Sequence, residues 1–428
     1  MNCDKDLTFF CIIGYLYFMA TKELETNGNV IMAYRAYKYR IYPTLKQAEL
    51  INKTIGCARF VYNALLADAK KQYEETGKSK IKTPASLKTE YEWLKEVDSL
   101  ALCNSQLHIQ TAYKNFFNKT ARFPEFHSKH KGKQTYTTNS VNGTIRIEKG
   151  KLKLPKLGFV KIVLHRFCKG VIKSVTVQRT PTNKYFVSVL TEQTPEVIEK
   201  DVTQEKVLGI DMSYKELAVY SDGTKAKYPK FYRKAQRKLA HVQHNFSRTQ
   251  KGSKRHEKAR LKVARVFEKI SNQRKDFLDK ESTRIARKYD VVVVEKLNMR
   301  AMANRGMKNG KTVNDIGFGM FRDMLRYKLG RNLKQLVEAD KFFPSSQLCS
   351  NCGFKNIAVK NLTVREWNCP QCGKHHDRDI NAAINLRNYY TVATTGIEAR
   401  GEKVRPIAEV RCAETKGILS EARKVVGL

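Results

Sequence analysis

The chain has 428 residues, 41% of them hydrophobic and 29% charged, and its 81 Lys and Arg against 41 Asp and Glu give a formal charge of +40. That length exceeds one ordinary domain, and that apolar content supports real cores, which excludes a disordered tail. Such charge favours a polyanionic partner, and its spread along the chain, away from any single amphipathic anchor, points to nucleic acid over a membrane surface.

Residues 1–31 stand apart, with a net charge of −2 in this basic chain. The apolar run "LTFFCIIGYLYFMA", Leu7 to Ala20, has 14 residues, short of the roughly 20 that span a bilayer. It lacks the basic leader and small-residue cleavage site of a signal peptide. Met32 then opens "MAYRAYKYRIYP", so residues 1–31 are expected to be an extension from an upstream start codon.

Residues 34–42 alternate aromatic or aliphatic with basic side chains, the period of a half-buried strand. Pro43 ends it, and Thr44 is placed to cap a helix whose Leu45, Ala48, Ile51, Ile55, Ala58, Val61 and Leu65 share one face. A second helical stretch covers about Ala101 to Thr120, followed by the basic loop "RFPEFHSKHKGK". Alternating segments at Tyr136–Ile147, Val160–Leu164, Val171–Gln178 and Tyr185–Thr191 predict a small antiparallel sheet or barrel. The acidic stretch Thr191–Glu205 reads as a linker.

The next unit opens with strands at Val207–Ile210 and Leu217–Tyr220. From Lys225 to Arg265 there are 15 Lys or Arg and one acid, Glu257, with Tyr228, Phe231, Tyr232, His241 and His244 interspersed. A basic helix pair with rings of this kind can follow phosphates and stack on a base. Lys230, Arg233, Lys234, Arg237, Lys238 and Arg255 are its candidate nucleic-acid contacts. The segment "DVVVVEKL" predicts a further strand, and about Ile316 to Glu338 a further helix.

Cys349-x₂-Cys352 and Cys369-x₂-Cys372 are separated by 16 residues, and Gly353 and Gly373 follow the pairs where the chain must turn tightly. Four soft thiolates at this spacing select tetrahedral zinc in a closed structural site, with a rubredoxin-like iron site or four buried free thiols as the alternatives. His375 and His376 are left as surface or nucleic-acid contacts. The isolated Cys3, Cys11, Cys57, Cys103, Cys168 and Cys412 read as buried thiols in a reducing compartment. Asp211 ends one apolar strand, Glu295 ends "VVVV", and Asp377 and Asp379 precede the helical "INAAINL". Strand-end carboxylates suit hard divalent cations, and caps or salt-bridge partners are the alternative use of such acids.

Taken together, "GIDMSYKELAVYSDG", "VVVVEKLNM", "SSQLCSNCG", "WNCPQCGKHHDRDINAAINL" and "YKYRIYPTLKQAELINKTIGCARFVYNALL" resemble the TnpB family, the OrfB proteins of insertion sequences, over roughly residues 34–397. The resemblance implies an α+β multidomain protein. Residues 32–195 would form a wedge β-barrel with a helical insertion at about 44–130. Residues 196–342 and 376–397 would form an RNase H-like, RuvC-type nuclease domain, with basic helices at 225–290. A zinc-binding module would occupy 343–375, and 398–428 would be a tail. It further implies a cytoplasmic, nucleoid-associated endonuclease that takes a guide RNA from the transposon end and cuts double-stranded DNA beside a short motif, with no membrane partner.

The family's catalytic acids match Asp211, Glu295 and Asp379, which would bind Mg²⁺. Asp379 is chosen over Asp377 because it heads the "DxNAA" element, with Asn381 holding nearby backbone or a carboxylate. Tyr37, Tyr39, Asn63 and Gln106 fall in the region that reads the DNA motif and braces the duplex. Ser213 and Lys296 depart from the family pattern without removing a ligand. A nuclease-inactive RNA-guided regulator, a strand-transfer transposase and a CRISPR-associated effector are the rival readings.

Overall fold

The computed structural model describes residues 33–129, 132–193, 206–213, 215–297, 302 and 310–395. The extension at 1–31, the tail at 398–428 and most of the acidic linker lie outside them. The chain divides into two compact units, one ending near residue 198 and the other starting there.

In the first unit, β1 (Ala33–Tyr42) leads into α1 (Leu45–Thr76). Thr44 caps α1 as expected: its hydroxyl accepts the Gln47 N–H, and the Gln47 side chain accepts the Thr44 N–H. Leu45, expected in the core, is exposed. The helices α2 (Pro84–Glu90) and α3 (Ser99–Phe117) follow. Six more strands complete the unit, β2 (Gln134–Asn139), β3 (Arg146–Glu148), β4 (Lys151–Leu154), β5 (Gly158–Val163), β6 (Val171–Arg179) and β7 (Tyr185–Gln193). All pair antiparallel in the order β2-β6-β7-β1-β5-β4-β3.

One core holds residues from β1, β2 and β4 to β7 together with Ile51, Ile55 and Ala58 of α1, so the sheet curls around the start of that helix. Further along α1, Val61, Leu65 and Leu66 turn to a second core with Leu102 and Ile109 of α3. A single 32-residue helix thus serves two cores. Of the isolated cysteines described here, Cys57 is buried, Cys168 half-buried and Cys103 exposed, so the expectation of buried thiols fails at Cys103.

The second unit begins with β8 (Val207–Met212), β9 (Ala218–Tyr220) and β10 (Lys225–Ala226), an antiparallel meander. The basic helices α4 (Phe231–Ser247) and α5 (Lys254–Lys288) come next, then β11 (Val291–Glu295), α6 (Gly310–Ile316) and α7 (Phe318–Arg331). Strand β12 (Gln335–Ala339) completes a sheet of order β10-β9-β8-β11-β12, in which β8, β11 and β12 run parallel.

The helix expected over about 316–338 is therefore corrected to one helix, α7, and a strand, β12. Leu333 takes φ 53° just after α7, which ends the helix, and "QLVEA" finds its partner only in β11. A five-residue apolar run carries too little periodicity to separate strand from helix.

Alternation along the parallel strands divides the sheet into two faces. Leu208, Ile210, Val292 and Val294 point to a core with Leu278 and Ile285 of α5 and Phe321, Met324 and Leu325 of α7. Val291 and Val293 point the other way, onto Leu386 of α8 (Arg378–Thr395). Burying each of these valines contributes about 1.5–3 kcal/mol. Between β12 and α8 the chain forms a small module with a short 3₁₀ turn and the hairpin β13 (Glu366–Asn368) and β14 (His375–Asp377).

Candidate active site and metal-binding module

Counting by twos from Val207 places Gly209 and Asp211 on the α8 face of the sheet, and counting from Val291 places Val293 and Glu295 there. Val294 pairs with Ile210 in register, so Glu295 and Asp211 lie at the same level on neighbouring parallel strands. Asp379 sits in the first turn of the helix that covers this face. Acids 84 residues apart in sequence thus meet at the carboxyl ends of two strands and the amino end of one helix.

Their charges are felt. Burial, and then the charges of Glu295 and Asp379, push the Asp211 carboxyl well above the ordinary carboxylate range, against the pull of Arg378. Uncompensated negative charge of this kind is relieved by a divalent cation with oxygen ligands. Among the described residues, the cysteines are the one set of three or more ligand side chains whose donor atoms all lie within 4.8 Å. Asp211, Glu295 and Asp379 do not form such a set.

Glu295, Asp379 and Asp377 each have a hydrogen-bonded neighbour. The Ser345 hydroxyl donates to Glu295 Oε1 at 2.5 Å, and Arg365 Nη1 lies 3.5 Å from Asp379 Oδ1. Asp377 caps α8, accepting the N–H groups of Asp379 and Ile380 at 2.9 and 3.0 Å. Asn381 holds backbone, its amide donating to the Leu348 carbonyl at 2.7 Å and accepting the Ser350 N–H at 3.0 Å. Ser213 is not among the residues with positive φ, and Lys296 is exposed beyond the end of β11.

Gly209 is no candidate by residue type, yet it sets the depth of the site. A Cβ there would stand 2.5 Å from the Arg387 backbone nitrogen and closer still to the Ala383 carbonyl oxygen. Helix α8 rests on bare strand backbone. The "GID" tripeptide holds that signal, since glycine inside a strand marks a close approach.

The four cysteines converge as their spacing predicts. Cys349 and Cys372 sulfurs lie 3.7 Å apart, Cys352 and Cys369 3.6 Å. Gly353 and Gly373 take φ 75° and 68°, and each N–H bonds back to the first cysteine of its pair at 2.9 Å. The donor set fits zinc in a closed tetrahedral site. The Cys372 thiol is lowered to about 6, first by the Lys374 N–H and then by the Asn351 amide.

His375 is exposed, but His376 is buried against Trp367 with Nε2 3.0 Å from Cys349 Sγ. The expected surface position of His376 is therefore corrected to a buried one beside Cys349. Because Cys349 and Cys369 share the module's core with Val359 and Trp367, the metal site and the core are one object. Cys372→Ser should lose zinc and red-shift tryptophan emission as Trp367 is exposed. Unchanged emission with zinc gone would contradict a metal-centred core.

The proposed nucleic-acid contacts divide. Lys230, Arg233, Lys234, Arg237, Lys238 and Arg255 are all exposed on or beside α4 and α5, with Arg233 bonded to Thr312 at 3.2 Å. Tyr228 is buried, packing edge-on against Phe231 and Phe277 and donating to the Asp315 carbonyl at 2.6 Å, so Tyr228 anchors the basic hairpin instead of lying open to a base. His241 and His244 are exposed.

Tyr37 and Tyr39 lie in the core of the first unit, which corrects their expected contact role. The outward face of β1 carries Lys38, Arg40 and Tyr42 instead, with Arg40 against the Tyr42 and Phe186 rings. Asn63 spends its amide on the His127 backbone, and Gln106 is half-exposed on α3.

Three described families match parts of the chain: a probable transposase, OrfB of the IS605 type, over residues 186–306; a Cas12f1-like TNB domain over 318–386; and a helix-turn-helix domain over 32–78. The last description does not fit the backbone, which is a strand and one unbroken helix. A putative RNA-guided DNA endonuclease of Streptomyces pristinaespiralis is 36% identical over 389 residues, covering 88% of this chain and 93% of that protein. This chain belongs to the TnpB family. Another relative, the putative RNA-guided DNA endonuclease InsQ of Escherichia coli K12, is 30% identical across 82% of this chain and 91% of its own. The TnpB-family fold is also that of a Cas12f1 chain solved by cryo-EM with single-guide RNA and target DNA. That match has a TM-score of 0.51 at 14% identity and covers 83% of this chain and 99% of the other. Among the described residues no helix is long and apolar enough to cross a membrane.

Proposed function

We propose that this TnpB-family enzyme is an RNA-guided DNA endonuclease that hydrolyses both strands of a duplex beside a short motif. The observation that carries the proposal is the convergence of Asp211, Glu295 and Asp379 on one face of the sheet, with the Asp211 carboxyl raised by burial and then by its two neighbours. A sheet of three antiparallel strands followed by two parallel ones supports an RNase H-like, RuvC-type reading. The twin cysteine turns support a zinc-ribbon module, and the curled seven-stranded sheet a wedge barrel.

Asp211, Glu295 and Asp379 would hold two Mg²⁺ ions, which supply an activated water and charge stabilisation at the leaving oxygen. The chain's own groups do the rest. Ser345 fixes one oxygen of Glu295 and Asp377 caps the helix bearing Asp379. In-line attack leaves a 5′ phosphate, and one acid set serves both strands in turn.

A guide RNA from the transposon end supplies sequence recognition by base pairing, so the protein has only to hold phosphates and admit the motif. The exposed Lys234, Arg237 and Lys238 suit the first task. Arg237→Glu with Lys238→Glu should weaken RNA binding and lower the slope of log affinity against log salt by about one for each phosphate no longer neutralised. An unchanged slope would move the RNA elsewhere. On this reading the enzyme would act in the cytoplasm, on the nucleoid.

The deciding experiment is purification with co-expressed flanking RNA, then cleavage of a plasmid library with randomised flanks. Guided double-strand breaks lost in Asp211→Ala, with RNA still bound, support the reading. Strand joining without RNA would favour a transposase, and RNA-guided binding without cutting a regulator.

A further inference from the structure

The segment from Ser345 to Ser350 lies between the two candidate metal sites of the second unit and is bonded toward both. At one end the Ser345 hydroxyl donates to Glu295 Oε1 at 2.5 Å. At the other, Cys349 contributes a thiolate to the four-sulfur cluster. Two asparagines one helical turn apart on α8 hold what lies between. The Asn385 amide donates to the Ser345 and Leu348 carbonyls, both at 2.7 Å. The Asn381 amide also donates to Leu348, and its oxygen accepts the Ser350 N–H inside the first cysteine turn. Ser345, Asn381 and Asn385 are all buried, so water does not substitute readily for these bonds. The helix making them is the one that carries Asp379.

A carboxylate that binds a cation needs its second oxygen oriented, and loss of such a partner costs about 10–100-fold in affinity. Ser345 takes Oε1, leaving Oε2 of Glu295 for a cation. We propose that Ser345 is a positioning residue for Glu295, and that Asn381 and Asn385 tie it to the four-thiolate module, so the zinc site and the acidic site are thermodynamically linked. The inference rests on the reading above that the three acids bind divalent cations. It adds that zinc occupancy sets how tightly they do so, and, by reciprocity, that a cation on the acids secures the zinc.

Mn²⁺ serves as the probe, titrated into the zinc-loaded full chain without nucleic acid and followed by loss of the free-ion EPR signal. Ser345→Ala and Asn385→Ala should each keep one zinc per chain by metal analysis and bind Mn²⁺ about tenfold or more weaker than wild type. Should Asn385→Ala lose zinc on folding, Ser345→Ala, which keeps the backbone carbonyl, decides alone. Mn²⁺ should also raise the chelator concentration that strips zinc from wild type, and do so much less in Ser345→Ala. Wild-type Mn²⁺ affinity in zinc-loaded Ser345→Ala, or zinc stripping indifferent to Mn²⁺ in wild type, overturns the link. If Asp211→Asn binds Mn²⁺ as wild type does, it is the acidic-site reading that falls instead.

Discussion

Asp211→Asn should end DNA cutting, by about a thousandfold or more, and yet give a metal-free protein that melts higher than wild type. Both effects come from one arrangement. The folded chain holds Asp211 where burial and two like charges oppose its ionisation, so its carboxyl titrates above the unfolded value. A group raised in this way contributes stability below its unfolded pKa and loses it as pH rises through the folded one. Above its unfolded pKa the raised Asp211 carboxyl therefore works against folding, and a neutral amide removes the conflict. Each kcal/mol relieved in a unit of this size lifts the melting point by about 2–4 °C. Cation binding runs with the opposite sign: it requires the ionised acids, should release a proton, and should weaken as pH falls through the folded Asp211 pKa. Thermal melts of both proteins from pH 5 to 8, with and without Mg²⁺, test all of this. A variant that melts lower without metal would remove the claim of repulsion.

Gly209→Ala adds one methyl group and should be nearly as damaging. Most small-to-large changes are absorbed by flexible neighbours, but here the obstacles are the Ala383 carbonyl and the Arg387 nitrogen, backbone atoms of α8. The helix must lift or the strand must bend. Overpacking of this kind costs about 1–3 kcal/mol, and a displacement of about 1 Å at reacting groups costs about 100-fold in rate. Asp379 moves with the helix while Asp211 stays with the strand, so cutting and Mg²⁺-induced stabilisation should fall together while RNA binding persists. Full cutting by the alanine variant would show that α8 has slack.

How much of the molecule is legible in its sequence depends on distance along the chain. The cysteine pairs and Thr44 are legible because their partners lie three residues away or in a matched pair. Asp211 and Glu295 are legible as strand ends following apolar runs, though only the register of β8 on β11 brings them level. Strand β12 is not, because its five residues become a strand only beside β11. For Tyr37 and Tyr39 the strand is placed correctly and its inward face is not. Strict alternation leaves the choice of inward face open when tyrosines alternate with Lys38 and Arg40, and burial settles it. His376 misleads for a similar reason: next to the exposed His375 it looks like surface, and only the pairing of Trp367 with His376 across β13 and β14 turns it inward.

The acids are delivered by three segments, β8, β11 and α8, and the last begins at Arg378. During synthesis, a nascent chain that has emerged through α7 already carries both long basic helices but lacks Asp379, the last of the three acids proposed to bind metal. On the proposed site, a polypeptide ending there would have the basic hairpin without the full acid set. If the proposed acids do the cutting, the order of translation would make that capacity follow polyanion binding.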